Sequence, residues 1–330
     1  MPRMLVWTDA TKTDVVRLAV DLLAGGGLVG LPTETVYGLA ARADSEEACA
    51  RIFTAKGRPP SHPLIVHVGS VAAARPLVVE AAHDALERWG GRFWPGPLTL
   101  VLPRTSRVPD AVTGGGLTVA LRVPRHPVMA AVLEACPFGL AAPSANRYQS
   151  ISPTTAAHVA RGLGESLELI IDGGPCAVGL ESTIVAPAVG PVDAVTRVRR
   201  LGGLALDELR ACVPHLVVDA GTDGPDEVHA APGRDRRHYA PTCAVVFVTG
   251  LEDLPRPAPG LGYLTYGEAP PPGFSLARAL PTDPEGYGRG LFAALHDAES
   301  SHIQTLYVRR LPSGEAWAAA RDRLTRAAAR

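Results

Sequence analysis

The chain has 330 residues, 46% of them hydrophobic and 20% charged, with a formal net charge of -1. At roughly 100–200 residues per domain this length points to two domains, and the composition excludes an intrinsically disordered chain. The near-zero charge excludes a protein that holds nucleic acid by bulk charge alone, and no apolar run reaches the ~18 residues of a membrane span.

Residues 12–24 repeat apolar side chains every three to four positions, which predicts an amphipathic helix that Gly25-Gly26-Gly27 ends. LVGL (28–31) reads as a short buried strand running into PTETVYGLA, and 45–55 as a helix capped by Ser45 and running into KGRPPSHP. Apolar, β-rich runs follow at 64–68, 98–103, 117–124, 138–146, 167–173 and 182–188, with helices expected at 71–89, 127–135 and 154–163. The pattern weakens after about 205, and 206–242 carries the basic and aromatic cluster APGRDRRHYAP. Strands then resume at 243–250, 261–267, 275–280 and 303–310, with helices near 284–300 and 313–328. The expected organisation is a large α/β domain over 1–205, a linker or lid over 206–242, and a small α/β domain over 243–330.

Five cysteines (Cys49, Cys136, Cys176, Cys212, Cys243) stand far apart with no C-x-x-C pair, which excludes a zinc ribbon and argues against a disulfide scaffold. The opening MPRMLVWTDATK lacks the regions of a signal peptide, so a soluble cytoplasmic protein is expected. Glycine (34) and proline (31) together form about a fifth of the chain, against about an eighth on average, so many tight loops are expected. Of 32 basic residues, only Lys12 and Lys56 are lysine. A lysine kept in such a chain is a candidate for a role arginine cannot fill, although Lys12 reads as chance survival.

Several loops carry chemistry. PTETVYGLA is either an ordinary turn or a ligand loop at a sheet's carboxyl edge. KGRP sets Lys56 and Arg58 at a helix C-terminus, where cations are favoured anyway, yet a point charge beside a guanidinium fork also suits phosphate. No Walker A or G-x-G-x-x-G motif occurs. In LIVHV, His67 shares a face with Ile65 and is a core histidine unless that face lines a pocket. In LTVALRVPRHP, the two-residue period puts Thr118, Ala120 and Arg122 on one face, and an arginine inside an apolar strand requires a carboxylate from the protein or from a ligand. APSAN (142–146), SPTT (152–155) and GLESTI (179–184) are polar loops after apolar strands, suited either to helix capping or to ribose and polyphosphate, with Arg197, Arg199 and Arg200 adding charge.

Taken in order, PTETVYGLA, KGRP, LTVALRVPRHP, APSAN, SPTT and GLESTI resemble the motifs of the YrdC-type threonylcarbamoyl-AMP synthases. APGRDRRHYAP and the end AWAAARDRLTRAAAR resemble the longer, two-domain form of that family. The resemblance implies a twisted open mixed α/β sheet with a positive concave cavity, plus a smaller Rossmann-like C-terminal domain. It implies that L-threonine, bicarbonate or CO2, and ATP become threonylcarbamoyl-AMP and pyrophosphate, and that a separate transferase complex passes the product to tRNAs reading codons that begin with A. Thr35, His67, Arg122, Ala142 and Ser182 should hold threonine, Arg122 taking its carboxylate. Lys56, Arg58, His62, Thr118, Ser144, Asn146, Ser152, Arg200 and Ala231 should surround the nucleotide, with Lys56, Arg58 and Arg122 serving the chemistry. Mg2+ should accompany the triphosphate, and its ligands are not assigned; Glu34 and Glu181 are the acidic candidates.

Three segments depart from the family pattern: Ala231 replaces a linker serine, His62 an asparagine, and Tyr148-Gln149 stand where a glycine is usual. Arg234, Arg236, Arg237 and His238 are expected to fold back as a lid over the phosphates. A double-stranded RNA-binding module, or another carbamoyl or adenylyl transferase on the same fold, is the alternative. A weak RNA contact is compatible with the main reading.

Overall fold

The structure is a computed structural model that describes residues 2–190, 195–219, 233 and 235–329. Among the described residues, the strands are β1 (Arg3–Val6), β2 (Val29–Leu31), β3 (Gly38–Arg42), β4 (Ile65–His67), β5 (Leu98–Pro103), β6 (Thr118–Arg122), β7 (Leu140–Ala141), β8 (Leu169–Asp172), β9 (Thr183–Ala186), β10 (Arg197–Arg200), β11 (Val217–Val218), β12 (Ala244–Val248), β13 (Leu261–Tyr266), β14 (Leu276–Leu280) and β15 (Thr305–Arg309). The first eleven form one mixed sheet in the order β1-β8-β2-β3-β7-β4-β6-β5-β9-β10-β11. The last four form a parallel sheet in the order β12-β15-β13-β14.

Both faces of the large sheet are covered, as the apolar alternation in its strands requires. On β8, Leu169 and Ile171 pack with helices Lys12–Ala24 and Pro127–Ala135, through Val15, Leu23, Val128 and Met129. Ile170 faces the opposite way, into the core under helices Glu46–Lys56, His83–Phe93 and Ala156–Leu163. Ser45 caps helix Glu46–Lys56 as expected, accepting from the Ala48 N–H.

Some local expectations change. Residues 71–89 are not one helix: a short helix at Val71–Ala74 gives way to two 3-10 turns before helix His83–Phe93, because Pro76 and the extended Val79 interrupt the ladder. PTETVYGLA runs directly into β3, and β1 forms near the N-terminus where no strand was expected. Helix Leu206–Arg210 and β11 extend the large domain past residue 205, Leu206, Leu209 and Leu216 joining its core.

The second domain does not stand apart. Its core of Leu264, Leu291, Phe292, Leu295, Leu306 and Leu324 is continuous with Val36, Ile151 and Leu180 from three loops of the large domain. Burying such side chains contributes on the order of 1.5–3 kcal/mol each at most, so the small domain and these loops stabilise one another. Gly179, at φ 76°, permits contact so close that a Cβ there would lie 2.5 Å from the Arg289 Cα.

Candidate active site

The loops that dock the small domain also line a cavity at one end of β4, β6, β9 and β10. β4 and β6 run parallel, pairing His67 with Arg122 at their ends, so both side chains reach the same place. PTETVYGLA folds back on APSAN through Leu39 N–H to the Pro143 carbonyl (2.8 Å) and Ala145 N–H to the Tyr37 carbonyl (2.8 Å). A Cβ on Gly38 would lie 3.2 Å from the Ala142 Cβ, which explains why small residues meet there.

Arg122 is almost fully buried. Its Nη1 donates to Thr35 Oγ1 (2.8 Å) and its Nε to the Gly96 carbonyl (3.2 Å), while Nη2 lies 2.8 Å from Glu34 Oε1. Neither of these last two atoms meets hydrogen-bond geometry, so the contact is an off-axis ion pair. Burial alone would push the Glu34 carboxyl up, but the adjacent Arg122 charge, helped by backbone N–H donors, outweighs it and holds the group below the ordinary carboxylate range. Glu34 also accepts from the Arg125 N–H (3.1 Å). The carboxylate beside Arg122 in this structure is therefore the protein's own, where the resemblance implies a ligand's.

Thr35, His67, Ala142 and Ser182 all line the cavity with Arg122. His67 is buried, its Nδ1 has no hydrogen-bond partner, and desolvation followed by Arg122 pushes it down to about 3, so it is neutral. Ser182 Oγ meets Thr99 Oγ1 at 2.7 Å and accepts from Arg200 Nη2 at 3.2 Å.

Of the residues expected around the nucleotide, Arg58, Ser144 and Arg200 line the cavity. Arg58 is buried, donates to the Pro63 carbonyl (3.0 Å), and is lowered to about 10 chiefly by desolvation. Arg200 grips the Ser182 carbonyl with Nε (3.2 Å) and Nη2 (3.0 Å). A register shift between Val198 and Arg200 turns this arginine inward, whereas Arg199 pairs with Asp219 instead of adding to the cavity.

Four others stand behind the wall. Lys56 Nζ donates to the carbonyls of Ser144 (2.5 Å) and Asn146 (2.6 Å) and so pins the APSAN loop. Burial, and then Arg58, pushes its amine well down. Asn146 Nδ2 donates to the Ser150 carbonyl (2.7 Å), and Ser152 Oγ donates to Glu181 Oε1 (2.5 Å). His62 packs edge-on to Tyr148, its Nδ1 4.0 Å from Asp235 Oδ2. Thr118 is exposed and outside the cavity: strand period gives it the face of Arg122, but four residues place it roughly 13 Å down the strand. Ala231 lies outside the described residues.

The expected lid is only partly realised. His238 lines the cavity with Gly233 and Tyr239, whereas Arg236 and Arg237 are exposed, and Arg234 lies outside the described residues. The sequence reading did not single out Tyr239, which stands beside the basic cluster at φ 58°, or Arg323. Gly233 lets that loop approach, since a Cβ there would meet the Tyr239 hydroxyl at 2.6 Å and Arg200 Nη1 at 3.0 Å.

The family model described as "Telomere recombination", covering the Sua5, YciO and YrdC proteins, matches residues 21–200. A second, "Threonylcarbamoyl-AMP synthase, C-terminal domain", matches 204–329. The chain belongs to the threonylcarbamoyl-AMP synthase family. It is 42% identical to the threonylcarbamoyl-AMP synthase of Pyrococcus abyssi over 73% of this chain and 70% of that protein. It is 38% identical to the Bacillus subtilis enzyme of the same name over 73% and 68%. The crystal structure of P. abyssi Sua5 complexed with L-threonine superposes with a TM-score of 0.87 at 33% identity, covering 99% of this chain and 97% of the other. The mixed sheet and the smaller α/β C-terminal domain expected from the synthase resemblance are thus both present, the latter built on a parallel sheet.

Proposed function

We propose that this protein makes threonylcarbamoyl-AMP from L-threonine, bicarbonate or CO2, and ATP, releasing pyrophosphate, for threonylcarbamoyladenosine formation in tRNA. The observation that carries this is the convergence of Thr35, His67, Arg122 and Ser182 with Arg58 and Arg200 in one cavity. The first four suit a small amino acid. The last two suit phosphates.

In this reading the threonine carboxylate joins Arg122, and neutral His67 and the hydroxyls of Thr35 and Ser182 meet its polar atoms. The threonine amine, as the free base, attacks CO2 to form a C–N bond and loses a proton to give the carbamate. A carbamate oxygen then attacks the α-phosphorus as the bond to pyrophosphate breaks. Carbamate and triphosphate are both anions, so the protein's contribution is alignment and charge neutralisation by Arg58 and Arg200. Lys56, Asn146, His62 and Ser152 hold the surrounding loops, and Ala231 can offer only backbone groups to the nucleotide.

Among the described residues no group of three His, Cys, Asp or Glu side chains could hold a metal ion. Glu181, which lines the cavity, is already engaged by Ser152 and Arg323. The donor set therefore does not fit a resident cation, and Mg2+ enters with the ATP phosphates. A separate transferase receives the product in the cytoplasm, and the functional division is a synthase domain over 1–205 that helix Leu206–Arg210 and β11 extend, a linker running on to 242 and a small domain over 243–330. No helix among the described residues is long and apolar enough to cross a membrane.

The test is pyrophosphate release from ATP and bicarbonate with each common amino acid supplied singly. Release that needs threonine and bicarbonate supports the reading. Release with another amino acid overturns the substrate assignment. No release, with tight and salt-sensitive binding of double-stranded RNA, favours the binding module instead.

A further inference from the structure

The cavity wall contains three arginines, Arg58, Arg122 and Arg200, and among the described lining residues a single acid, Glu181. An unneutralised carboxylate there would repel a polyphosphate and compete for Arg200, whose charge it already feels. It is answered from the other domain. Arg323, on helix Ala318–Ala328, is completely buried and donates from Nε to Glu181 Oε2 at 2.9 Å. Ser152 Oγ holds the other carboxylate oxygen at 2.5 Å. The guanidinium also contacts Asp322 at 3.0 Å and lies 5.1 Å from the centre of the Tyr239 ring, itself part of the wall. Its Nη2 is buried without a hydrogen-bond partner.

We propose that Arg323 is a positioning residue for the nucleotide: it neutralises and immobilises Glu181 and backs Tyr239, so that Glu181 neither repels the polyphosphate nor competes with it for Arg200. This rests on reading the cavity as the nucleotide site. It makes the small domain part of the binding site without contributing a group that touches ATP. A structural role alone would concern only the docking of the last helix, and the two roles separate in a mutant cycle.

The experiment is calorimetric titration of the full chain with ATP, and separately with L-threonine, for wild type, R323M, R323K, E181Q and E181Q/R323M. R323M is expected to lose ATP affinity by roughly 10–100-fold through the uncompensated buried carboxylate, and E181Q/R323M to regain most of it. R323K falls between, and threonine affinity stays within about threefold across the series. Wild-type ATP affinity in R323M overturns the proposal. So does a double variant as weak as R323M, which would leave Arg323 only a packing role. Should R323M fail to fold, E181Q/R323M is compared with E181Q: ATP affinity of the double variant well below that of E181Q overturns it equally. Absence of ATP binding by wild type overturns the functional reading itself.

Discussion

His158 of the large domain and His296 of the small domain stack across their boundary, ring centroids 3.8 Å apart and 24° from parallel. His158 Nδ1 accepts from the Thr154 N–H (3.2 Å), and His296 Nε2 donates to the Ser152 carbonyl (3.1 Å). Burial pushes His158 down to about 3 and His296 to about 4, with Arg161 adding positive charge nearby and Glu299 4.0 Å from His296 Nδ1. Both rings are neutral in the folded protein. Unfolded chains take up these protons below about pH 6.5, so the docked state loses stability as pH falls from 6.5 toward the folded values. A His296→Gln variant should therefore show a shallower loss of melting temperature between pH 7 and pH 5 than wild type. The difference should correspond to on the order of 1–2 kcal/mol at pH 5. Parallel melting profiles would show that the pair does not set the acid response.

Arg122 points three donor groups in three directions, toward Thr35, Gly96 and Glu34. Lysine cannot reproduce that fork. Arg122→Lys and Arg122→Ala should both lower kcat/KM for threonine, by about 100-fold or more, through loss of a buried charged contact of roughly 3–5 kcal/mol. Steady-state pyrophosphate release measures it, and substantial rescue by lysine would contradict the fork argument.

The Lys56 ammonium sits within 2.6 Å of two backbone carbonyls. Arg58 nearby tolerates burial as a guanidinium, but a guanidinium is too broad for this narrow cage. Lys56→Met should destabilise the fold by about 2–4 kcal/mol by leaving both carbonyls unpaired. Lys56→Arg should do no better. Chemical denaturation reads both, and an arginine variant as stable as wild type would remove the cage explanation.

Gly174 and Gly179 have similar positive φ angles, 85° and 76°, but different surroundings. A Cβ at Gly174 meets nothing within 4 Å, whereas at Gly179 it meets Arg289 backbone atoms at 2.5 and 2.6 Å. Gly174→Ala should cost only backbone strain of about 1 kcal/mol, and Gly179→Ala about 2–4 kcal/mol because the domain contact must shift. Differential scanning calorimetry distinguishes them, and equal costs would show that the interface yields easily.

Elements with strong local signals were legible. Helix Pro284–Ser300 begins where Asp283 accepts from the Gly286 N–H and proline occupies the first turn. Helix Pro127–Ala135 and strand Leu98–Pro103 likewise stand where apolar patterning put them. β3 was hidden because its GLAAR residues lack β-branched side chains and overlap a loop motif. In the site, the buried position of Arg122 followed from its strand, but its partner did not, since nothing local links it to Glu34, 88 positions earlier. Arg200 owes its inward turn to a register irregularity that alternation cannot foresee. Lys56 drew notice through the rarity of lysine, yet its charge is spent on carbonyls of a loop about 90 residues away.

Glu181 and Arg323 are 142 positions apart in the chain. At translation rates of about 5–20 residues per second, the ribosome needs roughly 7–30 seconds to travel from one to the other. During that interval the large sheet can form while Glu181 remains hydrated and Val36, Ile151 and Leu180 lack their cover from the second core. On the role proposed for Arg323, binding competence waits for helix Ala318–Ala328, and a nascent chain halted before it would present an apolar, chaperone-attracting surface instead of a finished pocket.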